Sequence, residues 1–518
     1  MAVNEQGREE IQRSVWAIAD ELRGAVDGWD FKNYVLGAMF YRYISENLTT
    51  YINSGEVDAG NNDFDYARLS DAEAEEARSD LVQEKGFFIL PSELFVNVHA
   101  KAPDDANLNE TLEKVFRHIE ESSRGSVFED RFKGLFDDFD VNSNKLGNTV
   151  ARRNERLVKL LNGIADMNLG TVESNNGDTI GDAYEYLMTM YASNAGKSGG
   201  EFFTPAEVSE LLTELGTVGK KKINKVYDPA CGSGSLLLKV IKKFGSDGVE
   251  LGFFGQEINV TTYTLCRINM FLHNLTPDKF DIACEDTLTN PKHWDDEPFE
   301  LIVSNPPYSI KWAGDGNPLL INDIRFSPAG VLAPKSKADM AFIMHCLAWL
   351  APNGTAAIVC FPGIMYRGGA EQKIRKYLVD NNFIDSIIQL PANLFFGTSI
   401  ATCIMVLKRG KADSKILFVD AGNEFLKATN NNKLTPENIG NIVNAFAARA
   451  DKDYFCRAVP NDEVKAQDYN LSVSTYVAQE DKREQIDIAK LNAEIKRIVA
   501  REQVLRGEID RIISEIEG

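Results

Sequence analysis

The 518-residue sequence lacks any long apolar run. Its first residues mix Glu, Arg and Gln with apolar positions, unlike a secretory signal, and no stretch approaches the roughly 18 apolar residues that a membrane span needs. These absences argue against membrane association and predict a cytoplasmic location. At 44% hydrophobic and 26% charged residues, the composition is that of a folded chain long enough for two or three domains.

Cysteines are few and scattered, and the seven of them include no C-x-x-C pair. An odd number without paired spacing is typical of neither a disulfide framework nor a zinc site. We predict reduced thiols in or near the core and no bound metal.

Positive charge is also scarce, since 56 basic residues stand against 77 acidic ones and the formal net charge is -21. Binding a long stretch of DNA backbone requires a positive surface. Any role on DNA would therefore depend on other chains. Residues 56–80 alone hold nine acidic and two basic residues, and we interpret this segment as a solvated, loosely ordered insertion.

Three regions differ in their apolar patterning. Residues 1–165 carry amphipathic runs with helical spacing, which predict a helical N-terminal domain. Residues 166–475 alternate short apolar strands with helices, which is typical of a doubly wound, mostly parallel α/β sheet of Rossmann type. Within this region, residues 408–480 show a strand-like ILFVDA run but receive no functional interpretation. The predicted strands are 224–229, 252–257, 280–284, 301–304, 355–361, 386–390 and 401–408.

The third region, residues 476–518, places apolar side chains at alternating steps of three and four, with Glu502 as the one polar break. This spacing predicts a coiled-coil helix. Either the helix packs against its own domain, or it docks on a partner, since heptads this regular exceed what internal packing requires. The apolar seam consists of Ile488, Leu491, Ile495, Ile498, Leu505, Ile509, Ile512 and Ile516.

A glycine-rich loop follows the first predicted strand, in the segment KVYDPACGSGSLLLKV. Its glycines let the backbone approach a ligand, and the helix that begins near Ser235 offers free N–H groups to a carboxylate or phosphate. Taken alone, the loop is also compatible with a tight strand-to-helix turn that binds nothing. The candidate cofactor-binding residues are Asp228, Pro229, Ala230, Gly232, Gly234 and Ser235.

Acidic residues follow the next two predicted strands. Glu257 lies 25 residues after Gly232, where a doubly wound nucleotide-binding fold places a carboxylate on ribose hydroxyls. Asp286, just past the third strand, is positioned to accept a hydrogen bond from the exocyclic amine of a bound adenine. It could equally cap a following turn, and both interpretations stay open.

The tetrapeptide Asn305-Pro306-Pro307-Tyr308 follows the fourth predicted strand, at the edge where open α/β sheets bind substrates. The Asn305 side-chain oxygen and the Pro306 carbonyl supply two acceptors for one NH2 group, and Tyr308 offers a flat face for stacking a planar base. Holding both amine hydrogens takes the nitrogen lone pair out of conjugation, so that it can attack a methyl sulfonium in line. These four residues are the candidate catalytic residues.

A further segment, SGGEFFTPAEVSELLTEL, precedes these motifs. Thr204, Pro205 and Glu207 match a capping box at a helix start, with Thr204 as the N-cap. The exposed aromatic residues before it need something apolar to cover, and a sulfonium-bearing cofactor is a candidate. The candidate cofactor-binding residues therefore also include Glu201, Phe202, Phe203 and Thr204.

In this order, GGEFFTP, DPACGSGSLL, GQEIN and NPPY resemble the motifs of gamma-type amino methyltransferases. The whole chain is similar to the modification subunits of type I restriction-modification systems, of the IC branch. The stretches VDGWDFKNYVLGAMFYRYISENL, AGKSGGEFFTP, VLAPKSKADM and FPGIMYRGGAEQKIR also resemble this family.

The resemblance implies a cofactor, a substrate and partners. S-adenosylmethionine would lie against Phe202, Phe203, Thr204 and the loop 228–234, with Glu257 on its ribose and Asp286 by its adenine. The tetrapeptide would hold an adenine flipped out of double-stranded DNA for N6 methylation. Family members obtain their DNA specificity from another chain, since two modification subunits assemble with one specificity subunit, and restriction subunits join. We predict that helices of the specificity subunit meet the terminal heptads.

Other reactions fit parts of the pattern. N5 methylation of a protein glutamine would use the same two acceptors, although GGEFFTP and the heptads favour DNA. N4 methylation of cytosine is possible, but Ser is commoner there than Asn305. C5 methylation is disfavoured because no Pro-Cys nucleophile follows the fourth strand. A subunit that binds cofactor without catalysing transfer is disfavoured by the intact motif residues.

The loop after Tyr308 carries four basic residues. They could contact DNA phosphates near the flipped base, or the segment could be an ordinary solvated loop. These residues are Lys311, Arg325, Lys335 and Lys337.

Overall fold

The computed structural model describes residues 13–14, 18, 28–168, 187, 204–395, 398–428, 431–479 and 488–518. The chain divides into two units, residues 1–477 and residues 478–518. Among the described residues, no helix combines the length and apolar character needed to cross a bilayer.

Residues 28–168 fold into helices, as the apolar spacing predicts. The long α1 is almost completely buried from Tyr34 to Ile44, and the aromatic ring of its Phe40 lies 5.6 Å from that of Phe136. The helices are α1 (Gly28–Asp58), α2 (Asp71–Glu75), α3 (Arg78–Lys85), α4 (Phe95–Lys101), α5 (Leu108–Ser122), α6 (Glu129–Phe132) and α7 (Val150–Ala165).

The acidic segment 56–80 is ordered, so the expectation of a loosely ordered insertion is wrong. Tyr66 is buried and its hydroxyl donates to the Ile89 carbonyl at 2.8 Å. Ser70 and Glu73 form a capping box at the start of α2. Most of the acidic side chains are exposed while Tyr66 and Ala74 are buried, and average charge cannot reveal that division.

A nine-stranded sheet forms the centre of the remaining chain, in the order β11-β8-β6-β7-β5-β4-β1-β2-β3. Its pairs are parallel, except that β7 runs antiparallel to β5 and β6 and β11 runs antiparallel to β8. The strands are β1 (Ile223–Asp228), β2 (Val249–Glu257), β3 (Phe280–Cys284), β4 (Phe299–Ser304), β5 (Leu350–Cys360), β6 (Ile384–Gln389), β7 (Cys403–Lys408), β8 (Lys415–Asp420) and β11 (Cys456–Pro460), and β9 (Leu426–Lys427) pairs separately with β10 (Asn432–Lys433).

Helices cover both faces of this sheet. Side chains alternate between the two faces along each strand, so each strand contributes apolar side chains to the packing on both faces. In β1, Val226 belongs to one apolar cluster and Tyr227 to the other. This architecture confirms the predicted doubly wound α/β class, and β8 and β11 show that residues 408–480 extend the sheet. The helices are α8 (Ala206–Thr217), α9 (Ser235–Phe244), α10 (Val260–Leu272), α11 (Asp339–Trp349), α12 (Ala370–Asp380), α13 (Pro436–Ala448) and α14 (Asn461–Ala466).

The N-terminal helices pack against the β3 side of the sheet. Arg267 of α10 is buried and donates to the backbone carbonyls of Asp130 and Lys133 at 3.0 and 2.7 Å. Arg131 forms an ion pair with Asp281 of β3, at 3.1 Å. The helical region and the sheet therefore share one continuous core.

The second unit contains a single long helix among its described residues, α15 (Ile488–Glu517). Its apolar seam is exposed, with side chains from 45% exposed at Leu491 to 78% exposed at Ile516. The predicted helix is thus confirmed.

Candidate active site

The carboxyl ends of β1, β2, β3 and β4 meet at one edge of the sheet. After β3 the chain crosses to the opposite side of β1 to form β4, which makes the β1–β4 boundary a topological switch point. The register pairs Tyr227 with Ile302, so Asp228 and Asn305 leave neighbouring strands at the same edge. The loops that carry the described candidate residues therefore lie side by side.

Asp228, the last residue of β1, is 1% exposed. Its Oδ1 atom accepts a hydrogen bond from the Ala230 backbone at 3.0 Å, while its Oδ2 atom makes no hydrogen bond of ordinary geometry within the described ranges. Burial raises the pKa of Asp228 to about 7, and the Ala230 amide and the nearby Ser304 side chain offset the rise only in part. Among the described residues, no basic side chain pairs with this carboxylate.

This raised pKa predicts a pH-dependent cost of folding. The ordinary pKa of an aspartate is 3.8. The stability that the protonated carboxyl group contributes is therefore complete below pH 3.8 and is lost as the pH rises through about 7. Asp228→Asn cannot ionise and should exceed the wild type in stability by up to about 4 kcal/mol at pH 8, and by less than half of that at pH 5. Urea unfolding without ligand measures both differences, and equal differences would contradict the raised pKa.

Two glycines shape the loop after Asp228. Gly232 has a φ of 55° and no described heavy atom within 4 Å of the position that a Cβ would take. Gly234 has a φ of 86°, and its Cβ would lie 2.6 Å from Met270 Cε. Positive φ at both positions favours glycine, and the space beside Gly232 leaves the backbone open to a ligand. Ser235 then begins α9, whose first N–H groups lie at this edge.

Glu257 ends β2 and contacts the same loop. One carboxylate oxygen accepts from the Gly232 backbone at 3.0 Å, and the other accepts from the Asn259 backbone at 2.9 Å. The residue proposed from spacing alone is therefore in direct contact with the glycine loop. Its predicted role toward a ribose stays a prediction.

Asp286 follows β3 and caps a turn, because its Oδ1 atom accepts from the Leu288 backbone at 2.9 Å. The capping interpretation is thus present in the structure, and contact with an adenine stays a prediction. The neighbouring Thr287 hydroxyl donates to the Pro229 carbonyl at 2.6 Å. This bond ties the Asp286 turn to the glycine loop.

Asn305 directly follows β4, and both ends of its side-chain amide are held. Its Nδ2 atom donates to the Thr204 hydroxyl at 3.0 Å, and its Oδ1 atom accepts from the Tyr308 hydroxyl at 2.6 Å. Burial raises the pKa of Tyr308 well above its usual range, which keeps this hydroxyl protonated. Pro306 between them is buried and Pro307 is half-buried.

The predicted capping box at Thr204 is wrong. Helix α8 begins at Ala206, and its N-cap is Pro205, which forms no side-chain cap. Thr204 is instead buried, and its hydroxyl accepts from Asn305, 101 positions away in the sequence. A tertiary contact has taken the place of the local one. Glu201, Phe202 and Phe203 lie outside the described residues.

The suggested phosphate contact of Arg325 is also wrong. This side chain is 1% exposed, pairs with Asp323 at 2.7 Å and donates to the carbonyls of Thr287 and Leu288, each at 2.8 Å. It also contacts His345 at 3.2 Å. Arg325 therefore fastens the loop to the Asp286 turn. Of the other three basic residues, Lys311 and Lys335 are exposed and Lys337 is half-buried.

Arg325→Met should destabilise the fold by roughly 3–5 kcal/mol, because it leaves the half-buried Asp323 carboxylate without its counter-charge and two buried carbonyls without their donor. Urea unfolding measures the loss. Lys311→Met, at an exposed position on the same loop, is the control and should change stability by less than about 0.5 kcal/mol. Equal stability of the two variants would contradict the structural role of Arg325.

Gln256 is a site residue that sequence reasoning missed. It is completely buried, donates to the carbonyls of Glu285 and Asn290 at 3.1 and 3.0 Å, and accepts from the Lys292 backbone at 3.1 Å. It thus holds the Asp286 turn from the side of β2. The available signal was a polar residue directly after the run of apolar residues and glycines at 251–255, since a buried amide needs partners.

Three potential metal ligands, Asp281, His293 and Asp296, place ligand atoms within 4.8 Å of one another. Each has a protein partner: Asp281 pairs with Arg131 at 3.1 Å, and His293 contacts Asp296 at 3.1 Å and the Gly255 carbonyl at 2.9 Å. These contacts account for the cluster, and we propose no metal there.

Known proteins resemble this chain along nearly its whole length. Residues 175–485 match the N-6 DNA Methylase family, and residues 11–164 match the HsdM N-terminal domain. The type I restriction enzyme MpnII methylase subunit of Mycoplasma pneumoniae is 49% identical, over 98% of this chain and 97% of that protein.

Solved structures agree with these matches. The type I restriction-modification methyltransferase subunit of Streptococcus thermophilus superposes with a TM-score of 0.81 and 34% identity, over 91% of this chain and 99% of that chain. A modification subunit from Vibrio vulnificus shares the fold, with a TM-score of 0.60 and 17% identity over 88% and 93% of the two chains. The family resemblance is confirmed, while the IC branch stays a prediction. The chain belongs to the N-6 DNA methylases and, within them, to the methylase subunits of type I restriction-modification systems.

Proposed function

We propose that this chain transfers a methyl group from S-adenosylmethionine to the N6 atom of adenine in double-stranded DNA, as the modification subunit of a type I complex. The observation that carries the proposal is the placement of Asn305 and Tyr308 at the switch point, beside the buried Asp228 and the open loop at Gly232.

The residues at this edge suit S-adenosylmethionine. The buried Asp228 pairs with no basic side chain among the described residues, and an ammonium group would supply a counter-charge. The open space beside Gly232 admits a ligand against the backbone, and Glu257, which already contacts this loop, would hold the ribose. When bound, the cofactor supplies an electrophilic methyl group on a sulfonium.

Asn305 and Pro306 would position the adenine amine. The bond from Asn305 Nδ2 to Thr204 fixes the amide plane and directs Oδ1 toward Tyr308. We assign this oxygen and the Pro306 carbonyl as acceptors for the two amine hydrogens, which localises the nitrogen lone pair. The base must leave the duplex to reach them, because its amine is paired within the stack.

The partners are those that membership of the type I methylase subunits implies. Sequence recognition would belong to a specificity subunit, in a complex of two modification subunits and one specificity subunit that restriction subunits join. A net charge of -21 is unfavourable for binding DNA phosphates alone, which supports this dependence on other chains. The exposed heptad seam of α15 is the surface we assign to that subunit.

Labelled methyl transfer tests the proposal. The full chain, alone and with its specificity subunit, is incubated with labelled S-adenosylmethionine and duplex DNA, and the nucleosides are then analysed. We expect N6-methyladenine only from the joint reaction. Label in N4-methylcytosine or in protein glutamine would overturn the assigned substrate, and cofactor binding without any transfer would favour a non-catalytic subunit.

A further inference from the structure

The chain leaves the tetrapeptide through an unusual backbone conformation. Ser309, which directly follows Tyr308, has a φ of 51°. A residue with a Cβ rarely adopts this left-handed region, because the Cβ crowds the following carbonyl. Surrounding contacts must therefore hold Ser309 in place.

Asp339 supplies those contacts from 30 positions away. Both of its carboxylate oxygens accept from the Ser309 backbone N–H, at 3.2 and 3.1 Å. Asp339 is only 5% exposed and is the first residue of α11, which gives it a rigid base. A charged acceptor makes a stronger bond to an N–H group than a neutral one.

Two backbone hydrogen bonds continue the same contact. The Ala338 N–H donates to the Ile310 carbonyl at 2.9 Å, and the Trp312 N–H donates to the Lys335 carbonyl at 3.1 Å. The segment after Tyr308 is thus fastened along the residues that precede α11. These lie in VLAPKSKADM, a stretch to which the function proposed above gives no role.

We infer that Asp339 is a positioning residue for methyl transfer. By holding Ser309 in the left-handed conformation, it sets the direction in which the chain leaves Tyr308, and so keeps the Tyr308 hydroxyl on Asn305 Oδ1. It acts through the backbone and does not touch the base. The inference rests on the catalytic role proposed for Asn305.

Steady-state methylation by the assembled complex tests the inference. Asp339→Ala should lower kcat roughly 30- to 100-fold, because small displacements of reacting groups cost about that much, while KM for S-adenosylmethionine stays within about threefold. Asp339→Asn keeps an acceptor for Ser309 and should retain most of kcat.

Substitution of Ser309 by glycine distinguishes a positioning role of Asp339 from a contribution to folding alone. Glycine adopts positive φ without steric cost. Adding Ser309→Gly to the Asp339→Ala variant should therefore raise its kcat at least about tenfold. Ser309→Pro, at an exposed position, removes the N–H and forbids the positive φ. It should reproduce the loss even if Asp339→Ala does not fold.

Asp385 is a matched control, because it is also a buried aspartate and pairs with Arg449 at 3.0 Å. It lies near the start of β6, and so at the edge of the sheet opposite to the candidate site. Asp385→Ala should keep kcat per folded chain. The inference is overturned if Asp339→Ala matches this control, or if Ser309→Gly recovers nothing. If Asn305→Ala itself remains active, the proposed function fails instead.

Discussion

Asn305→Ala is expected to lower methyl transfer to DNA by roughly a thousandfold, the size of effect seen when one preorganised polar group is removed from an active site. The substitution deletes the acceptor that we assign to the adenine amine. It also deletes the hydrogen-bond partner of the Tyr308 and Thr204 hydroxyls. Tyr308, which we assign to stack on the base, is then no longer held in place. Cofactor binding should persist, because Asp228 and Glu257 lie at the ends of two other strands, β1 and β2.

Single-turnover methylation and equilibrium binding of S-adenosylmethionine separate these two effects. Asn353→Ala, an exposed asparagine in β5, is the matched control and should behave as the wild type. Residual transfer within tenfold of the wild type in Asn305→Ala would show that the tetrapeptide does not hold the reacting amine. Loss of cofactor binding together with activity would point to a collapsed site.

Deletion of residues 484–518 is expected to abolish assembly with the specificity subunit, and with it methylation of DNA. The seam of α15 presents eight large apolar side chains, and burial of each contributes roughly 1.5–3 kcal/mol. Even the lower value for all eight, about 12 kcal/mol, exceeds the free energy of a micromolar complex, about 8 kcal/mol. Sedimentation analysis of the mixed subunits measures the loss.

Point substitutions distinguish the seam from the rest of the helix. Ile498→Glu with Leu505→Glu places charges in the seam and should weaken assembly as the deletion does. Ala493→Glu with Ala500→Glu places the same charges at heptad positions facing away from the seam, and should leave assembly intact. Intact assembly of the seam variant would mean that α15 serves another purpose.

Sequence patterning predicts most of this fold because short apolar strands that alternate with helices have few physical solutions. The seven predicted strands correspond to β1 through β7, with ends shifted by up to five residues. The acidic segment 56–80 shows where patterning fails. Its two buried residues, Tyr66 and Ala74, are too few and too widely spaced to register as a periodic run.

The candidate site divides in the same way. Local sequence identifies Asp228, Glu257 and Asn305, because each lies at or directly after the end of a strand, at one edge of the sheet. It misplaces Thr204 and Arg325, because the carbonyl and amide groups that they bind are distant in sequence. Thr204 suits a helix cap and Arg325 suits a phosphate contact, and nothing local distinguishes these roles from the bonds to Asn305 and to the Thr287 carbonyl.

By itself, then, the sequence determined the fold class, the family and the residues that line the edge of the sheet, since these depend on short-range periodicity and on motifs read in order. Only the tertiary structure decided how those residues are held: the carboxyl group of Asp228 is buried, the amide of Asn305 lies between two hydroxyls, and the backbone of Ser309 is bound by Asp339. These contacts join residues up to 101 positions apart. Their geometry depends on how the strands and loops pack, and no local pattern encodes it.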